Sequence, residues 1–160
     1  MPGLIGLNEN GDFALKSIKR KKSMPNQKVK NITNQIRKIA KDVYRSLGSG
    51  YQEVVYDKAM QVGLRLAGIK YENQKVIELK YKGYYIGEGY PDLVVHCGNN
   101  RVVVELKAVG SEMSVPEEQQ LRNYLKVLGI KYGLLINFQQ PGKSNKVQKS
   151  HEPEIKEITL

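Results

Sequence analysis

Asp92, Glu105 and Lys107 are charged side chains set in apolar surroundings. They stand in Asp92-Leu93-Val94-Val95 and, after a short gap, in Val102-Val103-Val104-Glu105-Leu106-Lys107. Both stretches read as strands, and burying charge among valines is costly unless something compensates it. Two carboxylates ~4 Å apart repel by ~1 kcal/mol in water and by ~4 kcal/mol at an effective dielectric near ~20. A divalent cation between them reverses that sign. Residues two apart on a strand point the same way, so Glu105 and Lys107 share one face while Val104 and Leu106 pack on the other. The Gly98-Asn99-Asn100 link is a hairpin-like turn that lets Asp92 meet Glu105 across adjacent strands. Asp92 and Glu105 would then hold Mg²⁺ through hard oxygens, with the backbone carbonyl of Leu106 as a further ligand. The metal would polarise a phosphoryl oxygen and lower the pKa of a bound water. Lys107 would orient that water and stabilise charge growing in the transition state. The plainer alternative is a cross-strand salt bridge between Lys107 and a carboxylate.

Several elements must position these groups. Ile32, Ile36, Ile39, Val43 and Leu47 step by four, three, four and four, which predicts a helix from about Asn31, stopped at Gly48-Ser49-Gly50. A second helix is expected from Tyr51 to Ala67, with Val55, Ala59, Val62 and Leu66 facing the core. Strands follow over Lys75–Tyr81 and Tyr84–Glu88, joined by a Lys82-Gly83 turn, then over Pro91–His96 and Arg101–Lys107. Ser114 is an N-cap with Pro116 in the first turn, so Val115–Leu128 is a helix with Leu121, Leu125 and Leu128 as its stripe and Gly129 closing it. Tyr132–Asn137 reads as a buried strand, 139–153 as a polar loop and Ile155–Leu160 as a short edge strand. A helix between two buried strands points to a crossover connection and a mixed sheet.

The chain has 160 residues and 40% hydrophobic content, which fits one domain with a tail. Its longest apolar stretch, near Gly133-Leu134-Leu135-Ile136, is too short to span a bilayer. The pattern of a secretory signal is missing, and one cysteine, Cys97, excludes an intramolecular disulfide. The chain therefore reads as intracellular: cytoplasmic, or nuclear if the host is eukaryotic. Net charge is +10, and it is uneven. Residues 1–48 hold 11 Lys/Arg against 3 Asp/Glu, whereas residues 49–160 hold 15 against 13. Residues 1–30 read as a basic, flexible arm with the run Lys19-Arg20-Lys21-Lys22, and residues 31–160 as the folded domain. A basic arm on a near-neutral body suggests a polyanionic partner, most simply nucleic acid contacted by those four side chains. Tyr71, Tyr81, Tyr84, Tyr85 and Tyr90 crowd the strand region. Such rings can stack on unpaired bases, but tyrosine is also a common strand former, which is the reading preferred from sequence.

In this order the motifs resemble those of the GxxExxY family, within the PD-(D/E)xK nuclease-like superfamily. Gly50-Tyr51-Gln52-Glu53-Val54-Val55-Tyr56 matches the naming motif, and Pro91-Asp92 with Glu105-Leu106-Lys107 matches the superfamily core. Gln120-Leu121-Arg122-Asn123-Tyr124 matches a QxxxY element, and Tyr132–Phe138 resembles the strand that closes the domain. The resemblance covers about residues 31–138. It implies a restriction-endonuclease-like α/β fold, a mixed central sheet flanked by helices. It also implies Mg²⁺-dependent cleavage of DNA phosphodiesters, with Mn²⁺ able to substitute. Asp92 and Glu105 are then metal ligands and Lys107 the catalytic lysine. Glu53 is an acid on a separate helix that can complete the metal site, or else simply favours its helix dipole. Gln120 and Tyr124, one helical turn apart, would stand at the mouth of the site. There Gln120 would bond the lysine or the scissile phosphate and Tyr124 would brace the backbone. Tyr56 reads as core packing.

Two other classes compete. One is a nucleic-acid-binding module on the same fold without turnover. The other is an assembly subunit whose helix faces form a homodimer.

Overall fold

The computed structural model of the chain describes residues 27–142 and 152–160. Two helices open it, α1 (Gln27–Leu47) and α2 (Glu53–Leu66). Five strands follow: β1 (Tyr71–Asn73), β2 (Ile77–Tyr81), β3 (Tyr84–Gly89), β4 (Leu93–Cys97) and β5 (Asn100–Lys107). Then come α3 (Val115–Leu128), β6 (Tyr132–Asn137) and β7 (Glu154–Thr159). The main sheet has the order β1-β4-β5-β6-β7, and β2 with β3 forms a separate ribbon. β5 and β6 run parallel, joined through α3, while the other neighbours are antiparallel. This is the mixed, helix-flanked sheet that the crossover pattern led us to expect.

Alternation along β5 builds two cores. Val102, Val104 and Leu106 pack with Leu93, Val95, Leu134 and Ile136 beneath α1 and α2. Val103 packs with Val94, Leu135 and Ile158 beneath α3. By the same alternation Glu105 and Lys107 point to the α3 side. α3 keeps its expected bounds. Its Ser114 N–H donates to Glu117 Oε2, and Gly129 ends it in the left-handed conformation.

Three expectations shift. α1 begins at Gln27 rather than Asn31, because Val29 extends the buried stripe one turn earlier. In α2 the residues that face the core are Tyr56, Met60 and Leu64, whereas Val62 and Leu66 are exposed. Gly63 fixes that rotation. A Cβ there would lie 2.4 Å from Ile39 Cγ2, so α1 and α2 touch backbone to side chain at this point and turn Val62 and Leu66 outward. The third shift is β1, which pairs Tyr71 with Val95 and Asn73 with Leu93 in a stretch without any alternating apolar pattern. Lys19, Arg20, Lys21 and Lys22 lie outside the described residues. Among the described residues no helix is long and apolar enough to cross a membrane.

Candidate active site

β4 and β5 are paired from Cys97↔Asn100 to Leu93↔Val104. One step further, side chains replace the backbone ladder. The Asp92 N–H donates to Glu105 Oε1 (3.1 Å), and the Leu106 N–H donates to Asp92 Oδ2 (2.8 Å). The structure thus brings Asp92 and Glu105 together at the end of the sheet. Glu105 is only 3% exposed, and its Oε2 accepts no hydrogen bond from the described residues. Burial, then repulsion from Asp92, pushes Glu105 up to about 8. Burial also raises Asp92, opposed by its bonds from Leu106 and Gln74 and by the Lys107 charge.

Lys107 is half-buried on the same face. No carboxylate of the described residues stands within ion-pairing distance of its Nζ, so the cross-strand salt bridge does not form. Its charge still acts on Asp92, Glu105 and Glu53, lowering each carboxyl. Leu106 buries its side chain against the opposite core while its N–H is held by Asp92.

Glu53 opens α2. Its carboxyl is raised chiefly by burial, with Lys107 lowering it and Asp92, Asp57 and Glu117 adding repulsion. It lies within electrostatic reach of the pair but does not join it. Among the described residues no three His, Cys, Asp or Glu side chains gather closely enough to hold an ion by themselves. Gln120 and Tyr124 also stand apart. Gln120 Nε2 donates to the Tyr124 hydroxyl (3.2 Å), not to Lys107, and both line a groove beside the β2–β3 ribbon. The Tyr124 ring braces the end of β3, where a Cβ on Gly89 would lie 2.8 Å from its Cε1. Tyr56 is a core residue, stacked on Phe138 at 4.5 Å. Its hydroxyl donates to the Gly48 carbonyl and accepts from Gln140 Nε2, and Gln140 Oε1 accepts from the Gly50 N–H. Together these bonds fasten the turn that sets the start of α2.

Two groups escaped the sequence reading. Gln74, with φ +49, donates its N–H to the Asp92 carbonyl (2.9 Å) and its Nε2 to Asp92 Oδ1 (3.0 Å). Backbone and carboxylate of Asp92 are both held by one residue in the left-handed region. The positive φ leaves no mark in the sequence beyond an Asn-Gln pair following an unrecognised strand. The other is Asn137, fully buried and paired with Lys107 across β5–β6. Its Oδ1 accepts from the Val109 N–H (3.0 Å), and its Nδ2 donates to the carbonyls of Val109 (3.2 Å) and Ser111 (3.3 Å). A buried amide at the end of an apolar strand was the available signal. Asn137→Ala is expected to destabilise the fold by about 3 kcal/mol, since three backbone groups lose their partner. Urea denaturation would show it, and a loss below about 1 kcal/mol would mean that the 109–111 loop finds other partners.

A family model described as the PD-(D/E)XK nuclease superfamily matches residues 30–150. The chain belongs to the PD-(D/E)XK nuclease superfamily. Among curated proteins none matches it. Solved structures similar to it include SSO0001, at 18% identity over 67% of this chain and 50% of that one, with a TM-score of 0.48. An alkaline exonuclease from Laribacter hongkongensis is similar at 13% identity over 66% and 55%, with a TM-score of 0.44. Hjc, a Holliday junction resolvase from Archaeoglobus fulgidus, is similar at 15% identity over 67% and 71%, with a TM-score of 0.39. The chain spans about half the length of the first two. The architecture of this superfamily member is restriction-endonuclease-like, and its family is one of nucleases. PD-(D/E)XK nucleases typically use divalent metals, and the donor set here fits one. Two hard carboxylates are held side by side in a buried corner that disfavours their joint ionisation.

Proposed function

We propose that this chain is a divalent-metal-dependent nuclease of the GxxExxY type that hydrolyses phosphodiester bonds in DNA. One observation carries the reading: Asp92 and Glu105 converge at the sheet end with Lys107 on the same face, where no carboxylate of the described residues pairs with it. A buried Glu105 beside a half-buried Asp92 costs stability when both are charged, and a cation is the simplest compensation.

Asp92 and Glu105 would hold Mg²⁺ or Mn²⁺, with the Leu106 carbonyl as a third oxygen and Glu53 near enough to take part through water. A bound cation would supply Lewis-acid polarisation of a phosphoryl oxygen and ease deprotonation of water. Lys107 would place its ammonium against the negative charge that develops on the phosphoryl oxygens. Gln74 holds the Asp92 carboxylate in place. Gln120 and Tyr124, on the groove beside the β2–β3 ribbon, would guide a strand toward the acids. The run Lys19-Arg20-Lys21-Lys22 would add sequence-independent contacts to phosphates. The preference for DNA rests on the motif order shared with the GxxExxY family.

Labelled single- and double-stranded DNA and RNA, incubated with Mg²⁺, Mn²⁺ or EDTA, test the reading. DNA products are expected with either metal and none in EDTA. Cleavage that persists in EDTA would remove the metal from the mechanism. Tight binding without products in every metal would leave a binding module on a nuclease fold.

A further inference from the structure

The β2–β3 ribbon stands apart from the main sheet. Its near end is anchored, with Ile77 buried and Gly89 pressed against Tyr124. Its far end, turned at Lys82-Gly83, is not. Tyr84 is 78% exposed and Tyr81 63%, and Ile86 and Tyr85 are mostly exposed as well. Strand propensity explains why tyrosines occur in a ribbon, but a solvated ribbon needs no large apolar side chains on its free end.

Tyr81 and Tyr84 are a cross-strand pair and therefore share a face. Alternation puts Leu79 on that face too. Leu79 and Ile86 border a groove of about 830 Å³ between the ribbon and α3, which also holds Gln120 and Tyr124. The groove thus lies beside the ribbon that carries the tyrosine pair, and β3 itself continues through Tyr90-Pro91 into Asp92. Tyr84 stands at most ~26 Å up-chain of Asp92, at ~3.3 Å per residue. Lys82 Nζ lies 5.4 Å from the Tyr81 ring centroid, and Lys126 sits on the groove, on a chain of net charge +10.

We infer that the Tyr81–Tyr84 face is a stacking platform for unpaired bases, which leads a single strand of nucleic acid along the α3 groove to the acids. This rests on the nuclease reading above and names its substrate as unpaired strand. A ring can stack only on a base whose face is free, and inside a duplex those faces are occupied. Phosphates of the same strand meet Lys82 and Lys126.

The test is fluorescence anisotropy on the full chain in EDTA, where cleavage is not expected. The probes are fluorescein-labelled oligo-dT, oligo-U and a blunt duplex. Tyr81→Ala/Tyr84→Ala is expected to weaken binding of the single strands by about 100-fold, roughly 10-fold per ring, and of the duplex by less than about 3-fold. Tyr81→Phe/Tyr84→Phe should retain wild-type affinity, since the ring and not the hydroxyl is at work. Unchanged single-strand affinity in the alanine variant overturns the platform, as does an equal loss for the duplex or an equal loss in the phenylalanine variant. Failure of the wild type to bind any probe overturns it too. A dimer by light scattering that the alanine variant dissolves, with nucleic-acid affinity intact, would assign the face to a second copy instead. A wild type that cleaves DNA while the alanine variant binds normally leaves the nuclease standing without the platform. Ring-dependent binding with no cleavage in any metal does the reverse.

Discussion

Lys107→Ala is expected to lower the rate of phosphodiester cleavage by about 10³-fold while leaving the fold unchanged. The side chain has no ion pair among the described residues to lose, so its removal should hardly affect stability. Its charge instead reaches Asp92, Glu105 and Glu53 together, which places it where negative charge would gather in the transition state. Removing one such preorganised donor costs about 10²–10³ in turnover. Asp92→Asn and Glu105→Gln should be comparably inactive, since each removes a negative charge from the pair proposed to hold the cation. The measurement is single-turnover cleavage of labelled DNA with Mg²⁺, beside thermal melting of each variant. Full activity in Lys107→Ala would move the chemistry elsewhere in the protein. Full activity in all three variants would remove the mechanism.

Glu105→Gln is expected to stabilise the metal-free protein above neutral pH, even as it abolishes the proposed cleavage. Burial and the Asp92 charge push Glu105 up to about 8, whereas an unfolded glutamate titrates near ~4.3. The folded state therefore holds the proton more tightly. That stabilisation is complete below the unfolded value and is lost as pH rises through about 8. At ~1.4 kcal/mol per pH unit, the loss across this window is on the order of 5 kcal/mol, and it belongs to the Asp92–Glu105 pair rather than to one residue. In EDTA, the urea midpoint of the wild type should fall from pH 5 to pH 9 more steeply than that of Glu105→Gln. Mg²⁺ or Mn²⁺ should restore the wild type most at the alkaline end and leave the glutamine form unmoved. Equal pH slopes for the two proteins would mean that Glu105 is not the buried acid its surroundings make it.

Local chemistry decided which parts of this architecture could be read in advance. α3 and β6 were legible to the residue because Ser114, Pro116 and Gly129 mark boundaries that backbone geometry enforces. The Asp92–Glu105 encounter was legible because a short hairpin and a period of two leave little choice. The rotation of α2 was not. Val55, Ala59, Val62 and Leu66 form as good a stripe as Tyr56, Met60 and Leu64, and tertiary contacts select between them: Gly63 against Ile39, and Tyr56 against Phe138 and Gly48. β1 exists because β4 offers it a ladder, and its own residues carry no strand pattern. Gln74 belongs to the same class: its grip on Asp92 follows from where β1 ends. Tyr81, Tyr84 and Tyr85 were placed in strands correctly, but sequence could not show that their rings face water.

The exchange at the end of the β4–β5 ladder has a practical side. Asp92 Oδ2 occupies the Leu106 N–H, a donor that would otherwise lie bare where β4 stops. A part-buried donor left unpaired costs stability, so the same carboxylate that would hold a cation also satisfies the backbone of β5. Among inactive forms, Asp92→Asn keeps an oxygen acceptor at that position and Asp92→Ala does not. The asparagine form is therefore the better trap for co-crystallising an uncut strand.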